Sequence, residues 1–168
     1  FKDLKRQKNV NWIRVKDRKS LLRELDVNPD WVFFFHWSHI VSEDVWHNFR
    51  CVTFHTSNLP QDRGGSPIQN QIIKGIKNSR VNAIKMSSEI DGGPVYCSRP
   101  VTLQGSLTDI WLAIADQTKI LIRECTINNL KPTNQKTDAI SLNKRRKTSS
   151  IPVTSLNEII DFYDHIRM

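Results

Sequence analysis

Cysteine is scarce in this sequence and scattered where it occurs. Cys51, Cys97 and Cys125 are odd in number, lie far apart and form no CxxC pair. That pattern argues against a disulfide framework or a thiolate zinc site and fits a reducing compartment, the cytoplasm. Long apolar runs are missing too: none approaches the ~20 residues of a membrane-crossing helix, so no membrane role is expected. There is no signal-peptide pattern and no internal repeat. Acidic residues are outnumbered, 17 Asp and Glu against 25 Lys and Arg, for a formal net charge of +8. A basic balance favours anionic partners without choosing among nucleic acid, nucleotides and phosphorylated or carboxylated ligands. The chain begins at Phe1 rather than Met, so an N-terminal piece is expected ahead of it.

The chain has 168 residues, 38% hydrophobic and 25% charged. That is enough for one globular domain with its own core. Residues 9–15 (NVNWIRV) have the pattern of a short strand, and 20–26 that of a helix stopped by Asn28-Pro29. Trp31 to Phe35 are apolar in a row, as a strand buried on both faces requires. A short helix is expected over 42–49 with Ser42 as N-cap, then a strand over 51–55. Ser66-Pro67 opens a helix to about Lys77, with proline in the first turn where its missing N–H costs nothing. Strands follow at 81–86 and 95–101. Ser106 and Asp109 form a capping box for a long helix ending near Asn129. Residues 139–147 (AISLNKRRK) read as a last strand with the basic end Lys144-Arg145-Arg146-Lys147, and Ser155 with Glu158 caps a final amphipathic helix. Only 133–150 looks like a linker. Strands alternating with helices predict an α/β domain with a mainly parallel sheet flanked by helices.

In such a sheet, ligands bind outside the carboxyl ends of strands. One loop of that kind follows His55; another follows 81–86 and carries Glu89 and Asp91. His55 and Asp91 are therefore candidates to meet. A carboxylate beside an imidazole fixes the ring, and the pair can move protons or stabilise a developing oxyanion. Thr53 points to the same side of the strand as His55, because side chains alternate. Taken alone, each element has a plainer explanation. His55 fits a capped strand end, Asp91-Gly92-Gly93-Pro94 is a turn, and the glycines and prolines of 58–67 are loop punctuation. His36 and His39 lack a third partner for a metal, so no metal site is expected.

Together the two loops, T-F-H-T-S-N-L-P-Q-D-R-G-G-S-P over 53–67 and E-I-D-G-G-P-V over 89–95, resemble the folate-dependent formyltransferases. That family includes methionyl-tRNA, glycinamide ribonucleotide and sugar N-formyltransferases. Order and spacing match from about Trp31 to Trp111. The phrases FFFHWS, RGGSPIQN and KRRK are most similar to the enzymes of bacterial surface-sugar pathways. The resemblance implies a Rossmann-like formyltransferase domain whose first strand is missing from the chain. It implies residues 1–132 as the catalytic domain, with 133–168 as a strand and helix appended to it. It also implies 10-formyltetrahydrofolate as cofactor, held by main-chain groups of His36, Trp37, Ser38, His39 and Ile40, and of Ser87, Ser88, Glu89 and Ile90. The acceptor side would be shaped by Asn58, Arg63, Gly64 and Gly65.

In the family an amine attacks the formyl carbon, His and Asn stabilise the oxyanion, and Asp orients the His. His55 and Asp91 take two of these roles. Thr53 stands where the family has Asn, a shorter donor. The expected function is formylation of the amino group of a nucleotide-linked amino sugar, by a protein expected to form a homodimer. Alternatives are formylation of methionyl-tRNA or glycinamide ribonucleotide, and a non-catalytic folate-binding descendant. Nucleic acid is the less expected partner: tRNA-formylating members carry a C-terminal barrel with no counterpart in the 168 residues, and a four-residue basic run suits a solvated strand end.

Overall fold

The computed structural model describes residues 10–37, 39–146 and Tyr163. Helix α1 (Arg18–Leu25) starts at a capping box in which the Asp17 carboxylate accepts from the Ser20 N–H. Strand β1 (Val32–Phe34), helix α2 (Glu43–Asn48) and strand β2 (Cys51–Thr56) follow. Next come a two-residue strand β3 (Arg63–Gly64), helix α3 (Pro67–Ile73), and the long strands β4 (Asn78–Lys85) and β5 (Val95–Thr102). Helix α4 (Leu107–Asn128) carries the expected Ser106–Asp109 capping box, and β6 (Leu142–Asn143) closes the described chain.

The main sheet has the order β1-β2-β4-β5, with a small second sheet of β3 and β6. Alternation along the strands sorts the side chains into two cores. Cys51 and Phe34 face Leu21, Leu25 and Val45 of α1 and α2. Val52, Val81, Ala83 and Val101 face Ile68 and Ile72 of α3 and Ile110, Ile114, Leu121 and Cys125 of α4, with Phe33 and Phe54 packed alongside. β1 is thus packed on both faces, as its apolar run predicts. Helices cover both sides of the sheet, which makes the architecture α/β.

The pairing corrects the expectation of a mainly parallel sheet. β1 and β2 are parallel, but β2–β4 and β4–β5 are antiparallel. Hydrophobic pattern fixes where a strand lies and which residues share a face, not the direction in which it runs. Two further expectations change. Residues 10–16 form no strand: Val10 and Ile13 are exposed, while Trp12 tilts against Phe33 at 6.3 Å and Val15 packs on the Leu21–Phe34 cluster. The stretch from 133 to 146 is not a free linker. Thr133 exchanges two main-chain bonds with Val95 (2.8 and 2.9 Å), and β6 pairs with β3. Its polar side chains are engaged by other loops, which composition alone does not disclose. The expected helix from Ser155 lies outside the described residues, Tyr163 excepted. Among the described residues no helix is long and apolar enough to cross a membrane.

Candidate active site

His55 ends the inward-facing series Cys51, Thr53, His55 on β2. Its backbone is pinned by buried amides from neighbouring elements. Asn82 donates to the carbonyls of His55 (3.2 Å) and Ser57 (2.7 Å) and accepts from Ser98. Gln71 donates to the Thr56 carbonyl at 2.7 Å and accepts from Ser79. A fully satisfied buried network of this kind holds one backbone geometry.

The imidazole is 6% exposed and lies between two oxygens. Its Nδ1 is 3.2 Å from Oδ2 of Asp91, and its Nε2 is 2.8 Å from the main-chain carbonyl of Asp62. The same Asp91 oxygen accepts the Gly64 N–H at 2.9 Å. His55 and Asp91 therefore meet as expected, but by another route. The carboxyl end of β4 lies beside the start of β2, where Lys85 pairs with Val52. Asp91 must return along β2 over about 10 Å, three residues of strand rise. The 86–94 loop achieves this by pinching at its base, where the Lys85 N–H donates to the Pro94 carbonyl at 2.8 Å. Asp91 itself sits at φ +50, a left-handed conformation uncommon for a residue with a β-carbon.

Thr53 is half-buried, lies between Phe34 and Ile84 in the sheet, and its hydroxyl makes no hydrogen bond among the described residues. Cys51, on the same face, is 1% exposed, and burial pushes its thiol up to about 12. It is a neutral packing group, since nucleophilic chemistry needs the thiolate.

The residues expected on the acceptor side are engaged within the protein. Arg63 is buried; its Nε and Nη2 donate to Gln135 (3.2 and 2.8 Å), and its Nη1 lies 3.4 Å from the Glu89 carboxylate. Asn58 is exposed and donates to the Asn78 carbonyl at 3.3 Å. The Gly65 N–H donates to the Asn143 carbonyl at 3.0 Å. Gly65 is required by close approach: a β-carbon there would lie 2.5 Å from the N and Cα of Arg145. The basic run is thus seated by its backbone against the glycine loop. Lys144 O accepts from Asn70, and Arg146 N–H donates to the Ser66 hydroxyl at 3.0 Å.

The two segments expected to hold a cofactor begin near one another, since Trp37 and Met86 pack on the same core cluster. The His36 ring meets Trp111 edge-on at 5.0 Å, and Trp37 contacts Phe34 and His39. Ser38 lies outside the described residues. Ile40 and Ile90 are 92% and 66% exposed. Ser88 and Glu89 are exposed, and Ser87 donates weakly to the Glu89 carbonyl. Among the described residues, no main-chain N–H of 36–37, 39–40 or 87–91 donates to another main-chain carbonyl. Main-chain donors without a main-chain partner, beside exposed apolar side chains, could hold a flat, polar, partly apolar ring such as a pterin. No group of three His, Cys, Asp or Glu capable of holding a metal occurs among the described residues.

Sequence reasoning missed Asp62, Gln135, Ser141 and Asn143. The Asp62 carboxylate is 6% exposed and is gripped by Lys74 and Asn143, while its N–H donates to the Ser141 hydroxyl at 2.8 Å. The one available signal was the density of hydrogen-bonding side chains in a stretch without hydrophobic period.

No protein-family model matches the sequence. The methionyl-tRNA formyltransferase of Malacoplasma penetrans is 28% identical over 133 residues, covering 77% of this chain and 41% of that protein. The solved methionyl-tRNA formyltransferase of Clostridium thermocellum is 33% identical, with a TM-score of 0.80 over 92% of this chain and 69% of that one. An N-formyltransferase from Helicobacter canadensis, solved with folinic acid and dTDP-3-aminofucose, shares the fold at 17% identity and a TM-score of 0.62, covering 80% and 53%. The chain spans about half the length of the curated relatives it matches.

Proposed function

Because this chain belongs to the formyltransferase family, we propose that it transfers a formyl group from 10-formyltetrahydrofolate to a primary amine. The observation that carries the reading is the meeting of the buried His55 imidazole with the half-buried Asp91 carboxylate, 3.2 Å apart. When bound, the cofactor supplies an activated formyl carbon. The residues of this chain then bind, orient and move protons. Asp91 fixes the ring through Nδ1 and leaves Nε2 as the working atom. To act, that nitrogen would have to exchange the Asp62 carbonyl, 2.8 Å away, for the oxygen on which negative charge grows or for the amine that must lose a proton. With a new C–N bond formed on the acceptor and the C–N bond to the carrier broken, His55 would take the proton from the acceptor amine and return it to the departing nitrogen. Main-chain groups of 36–40 and 87–91 would hold the carrier.

The acceptor we favour is a nucleotide-linked amino sugar used in surface-glycan synthesis, handled in the cytoplasm by a homodimer. The net charge of +8 supports a phosphate-bearing acceptor. So does the seating of Lys144, Arg145 and Arg146 against Gly65 and Ser66, with all three exposed. Residues 1–132 act as the catalytic domain and 133–168 as its extension, a division supported by the β3–β6 pair that joins them. Methionyl-tRNA is the second reading, favoured by the names of the relatives with the higher identities. Incubation with 10-formyltetrahydrofolate and either a panel of nucleotide-linked amino sugars or methionyl-tRNA, followed by mass analysis, separates the two. Formylation of methionyl-tRNA alone overturns the sugar reading; formylation of neither amine overturns formyl transfer.

Thr53 gives the finer test. Its hydroxyl is unengaged and on the His55 face, so it stands as the second oxyanion donor in place of the family Asn. Thr53→Val keeps size and branching while deleting the hydrogen bond. Turnover is expected to fall about tenfold or more with folate affinity unchanged. Thr53→Asn should retain or raise activity. Parent-like turnover in Thr53→Val removes residue 53 from the chemistry.

A further inference from the structure

We propose that Gln135 is a positioning residue that holds Asp91 against His55. The inference rests on the formyl-transfer reading for its catalytic consequence, but its geometry stands by itself. Asp91 occupies a left-handed conformation in a loop whose neighbours Ser88, Glu89 and Ile90 are exposed. Such a loop does not hold a carboxylate in one place unaided, because a residue with a β-carbon disfavours that backbone geometry. Gln135 supplies the restraint. Its Nε2 donates to the carbonyls of Asp91 and Gly93, each at 2.8 Å, on either side of Gly92. Its Oε1 accepts twice from Arg63, at 3.2 and 2.8 Å. Both donors and both lone pairs of the amide are thereby used.

The bonds close a ring. Gln135 holds Arg63 on β3 and Asp91 on the 86–94 loop. The residue after Arg63, Gly64, donates its N–H to the same Asp91 oxygen that meets His55 Nδ1. Aligning Asp91 with His55 therefore requires β3 and the loop to be in register, and Gln135 spans them alongside the Arg63–Glu89 contact at 3.4 Å. The strap that carries Gln135 also secures the far side of the imidazole. Ser141 and Asn143 bind the main chain and carboxylate of Asp62, whose carbonyl meets Nε2. Only a neutral amide satisfies the position. A carboxylate of the same length would keep Arg63 but bring its oxygens against two carbonyls with no hydrogen to offer. A thioether of similar length would lose all four bonds.

The test uses Gln135→Glu and Gln135→Met in the full chain, with three readouts: amide hydrogen exchange at Gly64, steady-state kinetics and melting temperature. The expected result is a loss of Gly64 protection of at least about tenfold while the amides of β2 and β4 keep theirs. kcat is expected to fall about tenfold or more, with KM for the acceptor changed less than about threefold, the signature of a lost transition-state interaction. Parent-like Gly64 exchange in both variants overturns the proposal. So does a uniform loss of protection across β2, β3 and β4 together with a lower melting temperature, which marks Gln135 as structural only. If the parent formylates no amine offered, the formyl-transfer reading fails, and Gly64 exchange still decides whether Gln135 positions Asp91.

Discussion

His55→Gln is expected to lower formyl transfer by about 10²–10³-fold, the loss that follows removal of a donor from an oxyanion site. Glutamine keeps a polar group and nearly the same reach, so the strand should persist. It cannot, however, present two ring nitrogens at a fixed angle, one to Asp91 and one to the reacting atoms. In the parent those nitrogens are 3.2 Å from the Asp91 carboxylate and 2.8 Å from the Asp62 carbonyl, and the ring is 6% exposed. The variant should melt within a few degrees of the parent and bind folate as before, since the carrier contacts proposed are main-chain groups of 36–40 and 87–91, which the substitution leaves in place. Single-turnover rates on an accepted amine provide the measurement. A variant that turns over within threefold of the parent would show that His55 is a capped strand end, the plainer role its position allows.

Gly93→Ala should have the largest effect on folding. A β-carbon at Gly93 would lie 1.9 Å from the Lys85 carbonyl oxygen and 3.2 Å from the Ser87 hydroxyl. The first contact is with backbone at the base of the 86–94 loop, where Lys85 and Pro94 are hydrogen-bonded. Neither side yields without opening that pinch. Overpacking against a rigid partner costs about 2–4 kcal/mol, a fall in melting temperature of roughly 5–15 °C for a chain of this length. Asp91 leaves His55 when the pinch opens, so activity should fall out of proportion to stability. Gly75→Ala is the control. Gly75 has φ +73 with nothing within 4 Å of an added β-carbon. It carries only the conformational cost, about 1 kcal/mol. If Gly93→Ala costs no more than Gly75→Ala, the close approach is not a constraint in solution.

The sequence by itself determined most of the strands and helices, because burial periodicity and capping chemistry are local. The Ser–Asp box at α4, the doubly packed β1 and the strand at His55 follow from neighbours within a few positions. It also determined that His55, Thr53 and Asp91 are the residues to watch, through loop motifs whose order and spacing match a known family. Only the tertiary structure decided how the site is assembled. Strand direction is set by how crossovers pack, so the antiparallel β4 and the returning 86–94 loop could not be read from hydrophobic pattern. Arg63, expected on the acceptor side, is buried against Gln135 and Glu89 because the chain 72 residues later returns to meet it. Gln135, Ser141 and Asn143 look like linker residues in sequence, since a polar side chain carries no periodic trace of the partner it will find. Hydrogen bonds between distant segments exist only once the sheet has brought those segments together, and the geometry on both sides of the His55 ring is made of them.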